Sequence, residues 1–401
     1  TSDWHLGKQL MKIDFSQDMN LFFDWLIQRI QAENIDVLLM SGDLFDHANP
    51  SQLALRNYYL FLKRIISLDC KVIITGGNHD SPHVLNAPRE LLDALDISVV
   101  GGMPAELNEV FVEVEVRGEK MVIAAVPFLR DKDVRQSTAG ETYADKVEQT
   151  RAGLEAYFQA VDAYYSQHFD GIPLVIMAHL FVQGAMPSES EREIQIGNLA
   201  SIDSHIFGQH ASYVALGHIH KPQRAGSDHV RYCGSPIPMS FSEKNDQKQV
   251  VMVTLSGDVC AVEPIPVPSF RKLKTFKGTF ASVVSQLETY ETDSILEDLA
   301  EIEVIEDQEN AATIRAVEDL MAGEEKYKVQ LLKAKIDFKN KIAGTSSILK
   351  KGEDIADFTP EQLFEKRLSL DESIENKSEL MLAFKEILEQ LHNSTSNETR
   401  S

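Results

Sequence analysis

Four short apolar runs in this chain of 401 residues each lead into a side chain that can bind a metal ion or transfer a proton. The residues that follow these runs are Asp43, Asn78, His179 and His218. The run at residues 72–74 is β-branched and contiguous, which is typical of a strand buried on both faces of a sheet. Ligands of open α/β sheets bind at the carboxyl ends of the strands. The pattern therefore predicts an α/β fold with a functional site at one sheet edge.

Helical and strand-like segments alternate along the first part of the chain. Apolar residues at helical spacing predict helices over residues 15–34 and 53–68, which alternate with strands at 35–40 and 72–74. This order is typical of βαβ units. Further predicted segments are a hairpin at 110–116 and 121–126, a helix at 143–169 and strands at 97–100, 174–178, 213–216, 231–240 and 249–255. We expect the last two strands to close a second, mostly antiparallel sheet.

The length of the chain predicts two or three domains. Pro264, Pro266 and Pro268 cannot lie in a central strand, so we end the first domain at this point and assign it residues 1–268. Residues 269–342 then alternate between strand and helix patterns, which predicts a small α+β domain.

The last part of the chain predicts a linker followed by a pair of helices. Residues 343–358 contain Gly, Ser and Lys, which is typical of a linker. Thr359 and Gln362 have the spacing of a capping box and open a helical segment over residues 359–394. Two short helices cannot bury their apolar stripes on each other alone, so we expect a docking surface formed by Leu363, Phe364, Leu368, Leu380, Phe384, Ile387, Leu388 and Leu391.

Charge and cysteine content limit the class of protein. The net charge of −23 argues against tight DNA binding by this chain alone, because phosphate contacts need Lys and Arg. Residues 286–309 contain no Lys or Arg and are typical of a solvated acidic face. Three widely spaced cysteines form no disulfide framework, which favours the reducing cytoplasm, and no apolar run is long enough for a membrane span. Thr1 already lies inside a motif, so we expect a further strand to precede it.

One more polar segment, Asp-x-His at residues 3–5, and a second histidine in the Gly-His-Ile-His segment at residues 217–220 complete a set of candidate metal ligands. Carboxylates, imidazoles and one amide suit Mn²⁺, Fe or Zn²⁺ rather than Ca²⁺ or a thiolate-binding metal. Taken singly, Asp-x-His occurs by chance, and a lone histidine such as His179 is more often a core residue. Five segments in this order favour a centre in which two metal ions share one carboxylate.

These five segments resemble the signature of the calcineurin-like metallophosphoesterases throughout residues 1–220. The stretches at residues 2–8, 42–46 and 77–81 are similar in particular to the SbcD-type bacterial nucleases of that family. The Tyr-Cys-Gly-Ser-Pro-Ile-Pro stretch at residues 232–238, together with Ser240-Phe241, is similar to a further motif of the same subfamily. The resemblance implies a metallophosphoesterase β-sandwich flanked by helices, a small α+β capping domain that recognises DNA, and a C-terminal helix pair.

The resemblance also implies a role for each residue of the motifs. Asp43 is implied to bridge two metal ions, and the other ligands are implied to be Asp3, His5 and His220 for one ion and Asn78, His179 and His218 for the other. His79 follows a ligand and is implied to stabilise or protonate the leaving side of the substrate. Some relatives have a histidine where Asp46 stands, so we expect Asp46 to orient a ligand instead.

The activity implied by the resemblance is that of a Mn²⁺-dependent DNA nuclease with two metal ions. It comprises 3'–5' exonuclease action on double strands and endonuclease action on single strands or hairpins, in DNA repair, recombination and replication. The implied partners are an SbcC-type coiled-coil ATPase, in a heterotetramer, and a second copy of this chain, which could use the apolar helix at residues 22–30 or its neighbours. Candidate phosphate contacts are Lys8, Arg130, Lys132, Arg135, Lys221 and Arg231.

Two other functions stay open at this point. One is a phosphodiesterase of the same fold that acts on a small phosphodiester or nucleotide, but such an enzyme has no use for the helices after Thr359. The other is a scaffold stabilised by metal, which is disfavoured because a structural site is closed and needs no residue like His79.

Overall fold

The computed structural model describes residues 1–135, 140–188, 191, 202–257, 259–323, 327–340, 359–369, 376–385 and 388. The chain divides into two compact units, each built from several segments. The first contains Thr1–Phe276, Leu287–Glu301 and Glu325–Lys333, and the second contains Lys277–Gln286, Ile302–Glu324 and Ala334–Ser401. Because the segments interleave, this division differs from a single cut at residue 268, and the predicted domain limits stay a prediction.

A parallel sheet in the first unit contains β3 (Val37–Ser41), β4 (Lys71–Thr75) and β5 (Ile97–Val100), with β4 in the centre. The register pairs Ile74 with Met40 on one side and with Val99 on the other. Ile73 and Ile74 are both fully buried and belong to separate apolar clusters. The contiguous apolar run is thus buried on both faces, as predicted. A small hairpin of β1 (Gln9–Leu10) and β2 (Ile13–Asp14) precedes this sheet.

Two helices pack in the same apolar cluster as Ile74. The helix α1 (Ser16–Glu33) buries Phe22, Leu26 and Ile30, which recur every four residues. The helix α2 (Gln52–Ile65) begins at Ser51, whose side chain accepts a hydrogen bond from the main-chain N–H of Ala54. Since Phe22, Leu26 and Ile30 lie in the core, they do not form the dimer surface that the sequence suggested for this helix.

The second sheet contains β6 (Phe111–Val116), β7 (Glu119–Ala125), β8 (Leu174–His179), β9 (Ala211–Gly217), β10 (Gln223–Ala225) and β11 (Ser227–Tyr232). Its strand order is β10–β11–β9–β8–β7–β6, with parallel pairing from β7 to β11 and antiparallel pairs at the two edges. The prediction of a mostly antiparallel second sheet is therefore wrong. The reason is α6 (Tyr143–His168), because a helical crossover returns the next strand in the same direction.

The two sheets pack face to face, and their shared apolar cluster contains Ile73, Val100, Val114, Ile123, Ala125, Val175, Met177 and Tyr213. The helix α6 buries Leu154, Phe158 and Val161 in a separate cluster with side chains from the second sheet. Helices therefore cover the outer faces of two stacked sheets. The predicted α/β sandwich flanked by helices is confirmed.

The strand predicted at residues 249–255 does not join the second sheet. It forms β12 (Gln249–Ser256), which pairs with β13 (Val259–Pro266) in a separate antiparallel hairpin. Pro264 and Pro266 lie inside β13, opposite Val251 and Gln249. Proline is tolerated there because a strand with one neighbour leaves one edge unpaired.

The region after residue 268 alternates as predicted between strand and helix: β14 (Leu273–Gly278), α7 (Phe280–Glu288), β15 (Asp298–Gln308), α8 (Ala311–Ala322) and β16 (Val329–Asn340). Its three strands form one sheet in the order β14–β15–β16. Short helices elsewhere are α3 (Pro82–Asn86), α4 (Arg89–Asp93), α5 (Asp131–Val134) and 3₁₀ turns at Leu107–Val110, Ser204–Phe207 and Phe241–Glu243. No helix in the described part of the chain is long and apolar enough to cross a membrane.

The C-terminal helix pair is present in the described residues. The helix α9 (Pro360–Ser369) begins with the predicted capping box, in which Thr359 Oγ1 accepts from Gln362 N at 3.3 Å and Gln362 Oε1 accepts from Thr359 N at 2.9 Å. Residues 377–385 form a second helix, and the rings of Phe364 and Phe384 stack with centroids 4.1 Å apart. Ile387, Leu391 and the predicted linker 343–358 lie outside the described residues.

Candidate metal centre

The residues predicted from the strand ends come together at one edge of the sandwich. The N-terminal segment runs beside the loop after β3, because Asp3 N donates to Gly42 O and His5 N donates to Asp43 O, both at 3.0 Å. In the second sheet, His179 at the end of β8 pairs with Gly217 at the end of β9. The structure therefore brings all seven predicted ligands into one buried region, and their assignment as ligands stays a prediction.

The backbone of this region is strained. Asp3, His5, Asp43 and His218 have φ angles of 54°, 46°, 51° and 101°, in the region that favours glycine. Each such residue costs roughly 1–3 kcal/mol, and strain of this kind concentrates at functional sites. The loops also lie very close together, since a Cβ atom on Gly77 would lie 2.2 Å from Asp43 Oδ1. Glycine at position 77 is therefore required by the approach of the two loops.

Asp43 lies between two groups of side chains. Its Oδ2 atom is 3.7 Å from His5 Nε2 and 3.4 Å from His179 Nε2. His5 Nε2 lies 3.0 Å from His220 Nε2, and His179 Nε2 lies 2.9 Å from Asn78 Oδ1. Clusters with ligand atoms within 4.8 Å of one another are Asp3–His5–His220, Asp3–Asp43–His179 and His5–Asp46–His79. A carboxylate in this position can serve two ions at once.

Imidazole nitrogens in the cluster fit a bound cation. His218 Nε2 is buried and has no hydrogen-bond partner among the described residues, although the main-chain N–H of His218 donates to Asp3 Oδ1. His220 Nδ1 donates to Glu243, and His5 Nδ1 lies 3.3 Å from the Asp46 carboxylate. His5 Nδ1 is buried and has no hydrogen-bond partner among the described residues, and the Nε2 atoms of His5 and His220 lie 3.0 Å apart. A divalent cation would give a partner to the orphaned His218 nitrogen and to the Nε2 lone pair of His220.

Burial and charge act in opposite directions on the ionisable groups. Burial alone would lower the pKa of His179, but the adjacent Asp43 carboxylate raises the pKa to about 9. Burial alone would raise the pKa of Asp43, but His179 and His5 hold it well below its usual range. Asp43 is therefore a carboxylate throughout the neutral range, which is the form that binds metal.

Asp80 ties the loops of the site together. Its carboxylate accepts hydrogen bonds from the main-chain N–H groups of Leu44, Phe45 and Gly77, at 3.1, 2.9 and 2.9 Å. These donors lie in the loops after β3 and β4, so one buried side chain sets the distance between Asp43 and Asn78. The Asp80 side chain therefore orients both loops.

His79 lies beside the candidate ligands. Its main-chain N–H donates to Asp43 Oδ1 at 2.9 Å, and its Nδ1 lies 2.7 Å from Asp46 O. The Nδ1 proton is therefore donated to that carbonyl, which leaves the lone pair on Nε2. Because His79 also belongs to one of the three clusters, its predicted role as a proton-handling group rather than a ligand stays a prediction.

The predicted DNA contacts fall into two groups. Lys8 Nζ lies 3.3 Å from Asp46 Oδ1, and Arg130 Nη2 lies 3.5 Å from Asp80 O, so both cations border the cluster. Lys132 is exposed and Lys221 is half-buried. Arg135 is paired at 3.1 Å with Glu141, and Arg231 Nε donates to Asp228 O. Lys8 and Arg130 are thus better placed for phosphate at the metal centre than Arg135 and Arg231, because their charged groups contact residues of the site itself.

The polar residues that surround His220 had no predicted role. Glu243 and Lys248 form a fully buried ion pair behind the His220 ring. Burial alone would raise the pKa of Glu243, but His220 and Lys248 hold it well below its usual range. Glu243 follows two residues after the Ser240-Phe241 end of the subfamily motif. That position was the signal from which a supporting carboxylate could have been inferred.

The motif at residues 232–238 also supports the site. The Tyr232 hydroxyl donates to Leu180 O at 2.8 Å and accepts from Val182 N at 2.9 Å, which anchors the loop after His179. Ser235 N donates to His220 O at 3.1 Å. The motif therefore contacts the backbone next to two predicted ligands.

The family model described as calcineurin-like phosphoesterase matches residues 1–222. This chain belongs to the calcineurin-like phosphoesterase family. It is 31% identical over 387 residues to the SbcD subunit of the SbcCD nuclease of Escherichia coli K12, with 94% of each chain covered. As an enzyme of this family, the chain binds divalent metal and hydrolyses phosphoesters, and within the family it is of the SbcD type.

Other relatives of this calcineurin-like phosphoesterase have the same description. The SbcD nuclease subunit of Rhodobacter capsulatus is 31% identical over 284 residues, with 68% of this chain and 70% of the relative covered. The protein of that description from Bacillus subtilis is 29% identical over 282 residues, with 69% and 71% covered. A solved archaeal phosphodiesterase is 10% identical with a TM-score of 0.26 over 62% of this chain and 95% of its own, which supports no argument about the fold.

Proposed function

We propose that this chain is the nuclease subunit of an SbcCD-type complex and hydrolyses DNA phosphodiester bonds with two metal ions. The activity comprises 3'–5' exonuclease action on double strands and endonuclease action on single strands or hairpins, in DNA repair, recombination and replication. The observation that carries the proposal is Asp43, which lies within 3.7 Å of His5 on one side and 3.4 Å of His179 on the other. Similarity to nucleases of this description over 94% of the chain supports the choice of substrate.

The proposed metals are two divalent ions. The carboxylate, imidazole and amide ligands suit Mn²⁺, Fe or Zn²⁺, and the similarity to SbcD-type nucleases favours Mn²⁺ among them. Asp3, His5, Asp43 and His220 would hold one ion, and Asp43, Asn78, His179 and His218 the other. When bound, such ions polarise the phosphate and lower the pKa of the attacking water.

The side chains of this protein have separate roles in the proposed reaction. Asp43 bridges the two groups of ligands, and the main-chain N–H of His79 fixes the orientation of the Asp43 carboxylate. The His79 ring handles the proton of the leaving oxygen. Lys8 and Arg130, at the border of the cluster, contact DNA phosphates and position the strand.

The proposed partners bind at two surfaces of the chain. The C-terminal helices bind an SbcC-type ATPase, because Leu380 is 43% exposed while Phe364 and Phe384 already stack on each other. A second copy of the chain binds at α2, and the apolar side chains exposed there are Leu53, Tyr59 and Leu60, with Ile66 at the helix end. Two copies of each subunit form a heterotetramer, which we place in the cytoplasm.

The proposed domain organisation follows the activities. Residues 1–268 form the nuclease domain, residues 269–342 form a capping domain that recognises DNA, and residues 359–394 after the linker bind the ATPase. The alternation of strand and helix from β14 to β16 supports a separate capping domain at residues 269–342.

Digestion of blunt-ended and hairpin DNA with Mn²⁺, with and without the SbcC-type ATPase, tests the proposed function. We expect cleavage by the full chain, loss of cleavage in Asp43→Asn, and loss of ATPase binding with intact metal binding when the chain is truncated before Thr359. Turnover of a small phosphodiester without DNA cleavage, even with the ATPase present, would show instead the phosphodiesterase alternative.

A further inference from the structure

The hydrogen-bonding groups of His220 are held from several sides. Its main-chain N–H donates to Glu191 Oε1 at 2.7 Å, and its carbonyl accepts from Ser235 N at 3.1 Å and from Lys248 Nζ at 3.0 Å. On the ring, Nδ1 donates to Glu243 Oε1 at 3.1 Å, while Nε2 faces His5 inside the cluster. The ring and backbone of His220 are therefore fixed in one orientation, with Nε2 toward the metal centre.

Lys248 and Glu243 form the buried part of this support. Their side chains are 4% and 0% exposed, and Nζ lies 2.5 Å from Glu243 Oε2. Lys248 Nζ also donates to Ser235 Oγ at 2.9 Å, so its three N–H groups are satisfied by Glu243, Ser235 and the His220 carbonyl. Glu243 Oε2 also accepts a hydrogen bond from the main-chain N–H of Met239.

A buried ion pair is weak support for stability by itself, because two apolar side chains of the same volume often stabilise a core equally well. This pair forms hydrogen bonds with both the ring and the carbonyl of His220, which two apolar side chains cannot do. His179 provides a contrast within the same site, since its Nδ1 lies 3.0 Å from a main-chain carbonyl, that of Ser41. The two halves of the centre therefore orient their histidines by different means.

We propose that Glu243 and Lys248 act together as positioning residues for one of the two metal ions. Glu243 keeps the proton of His220 on Nδ1, so that Nε2 has the lone pair that binds the ion. Lys248 fixes the Glu243 side chain and the His220 main chain relative to each other, because its Nζ donates to both. The inference rests on the proposed role of His220 as a ligand. It assigns the pair to the ion held by Asp3, His5, Asp43 and His220, and not to the ion held by Asn78, His179 and His218.

The test measures Mn²⁺ binding to the full metal-free chain by calorimetry and by the electron paramagnetic resonance spectrum of bound Mn²⁺. The variants are Lys248→Met, Glu243→Gln and the double variant Glu243→Met/Lys248→Met. The double variant leaves no buried charge without a partner, so it keeps the test valid where a single change prevents folding. We expect one Mn²⁺ to bind about 10–100-fold more weakly and the other to keep its affinity. The spectrum should change from that of a coupled pair of ions to that of a single ion.

A matched control is the ion pair of Asp18 and Arg271, whose side chains are 6% and 9% exposed and lie outside the cluster. The double variant Asp18→Asn/Arg271→Met should lower the thermal stability without changing the affinity for either Mn²⁺. Equal weakening of Mn²⁺ binding in this control would overturn the inference, and so would unchanged binding in a folded Glu243/Lys248 double variant.

The variant His220→Ala separates this inference from the proposed function. Loss of one Mn²⁺ in His220→Ala, with normal binding in the folded Glu243/Lys248 double variant, would overturn the inference alone. Normal binding of both ions in His220→Ala would instead overturn the assignment of His220 as a ligand, and the positioning role with it.

Discussion

Asp43 and His79 are joined by a hydrogen bond of 2.9 Å from the main-chain N–H of His79 to Asp43 Oδ1. Because the donor belongs to the backbone, the proposed bridging carboxylate is oriented by the residue at position 79 whatever side chain that residue has. The second oxygen, Oδ2, lies nearest the histidines on either side. The backbone of His79 and the ring of His79 therefore have separable roles.

Replacing His79 with alanine should separate catalysis from metal binding. The backbone hydrogen bond to Asp43 remains in this variant, whereas the group proposed to handle the proton is lost. We expect DNA cleavage to fall by roughly 10²–10⁴-fold, with Mn²⁺ affinity measured by calorimetry close to that of the wild type. A large loss of Mn²⁺ affinity would show that His79 is a ligand.

Removing the Asp80 carboxylate should destabilise the fold strongly. Asp80→Ala leaves three buried main-chain N–H groups without an acceptor. We expect the free energy of unfolding in denaturant to fall by more than about 2 kcal/mol, because each orphaned donor is costly. Asp170→Ala, at an exposed position, is the control and should be close to neutral. A neutral effect of Asp80→Ala would contradict the role given to this side chain.

Metal removal should lower the thermal stability of the protein. An ion that binds only the folded state at a hundred times its dissociation constant stabilises that state by about 2.7 kcal/mol. We expect a chelator to lower the melting temperature of the wild type and to have little effect on Asp43→Asn. An equal response of both proteins to the chelator would place the metal elsewhere.

Charge on the exposed face of α2 should weaken association between copies of the chain. Leu60 is 47% exposed, and Leu60→Glu would place a carboxylate inside the proposed interface. We expect a shift from dimer to monomer in analytical ultracentrifugation. Val259→Glu, at a 65% exposed apolar position in β13, should leave the mass unchanged. A dimer that persists in Leu60→Glu would exclude this face.

The C-terminal helix pair should depend on separate residues for its own packing and for partner binding. Leu380→Asp changes an exposed residue of the proposed stripe, and we expect weaker binding of the SbcC-type ATPase with unchanged DNA cleavage by the isolated chain. Leu382→Asp is the control, because Leu382 is 66% exposed on the same helix but is not part of the predicted stripe. Binding that is equally weak in both variants, or in neither, would contradict the assignment.

Local patterns were enough to predict most elements of the fold. Helical spacing predicted α1 and α6, the β-branched run predicted β4, and residue spacing predicted the capping box at Thr359. These features depend on interactions between residues close in sequence, which periodicity and turn chemistry report directly.

Strand pairing was predicted less well. The direction of the second sheet and the separate hairpin of β12 and β13 were missed, because they depend on which strand meets which across long separations. An apolar run does not by itself identify its partner strand, although the helix predicted at residues 143–169 was a signal for parallel pairing of the strands on either side of it.

For the candidate site, the sequence by itself determined which side chains stand at the strand ends and in what order, since this follows from local patterns. Only the tertiary structure decided that Asp80 joins two loops and that Glu243 and Lys248 lie behind His220. Contacts between residues far apart in the chain leave no periodic pattern. Their energetic reason, the satisfaction of buried polar groups, exists only once the chain has folded.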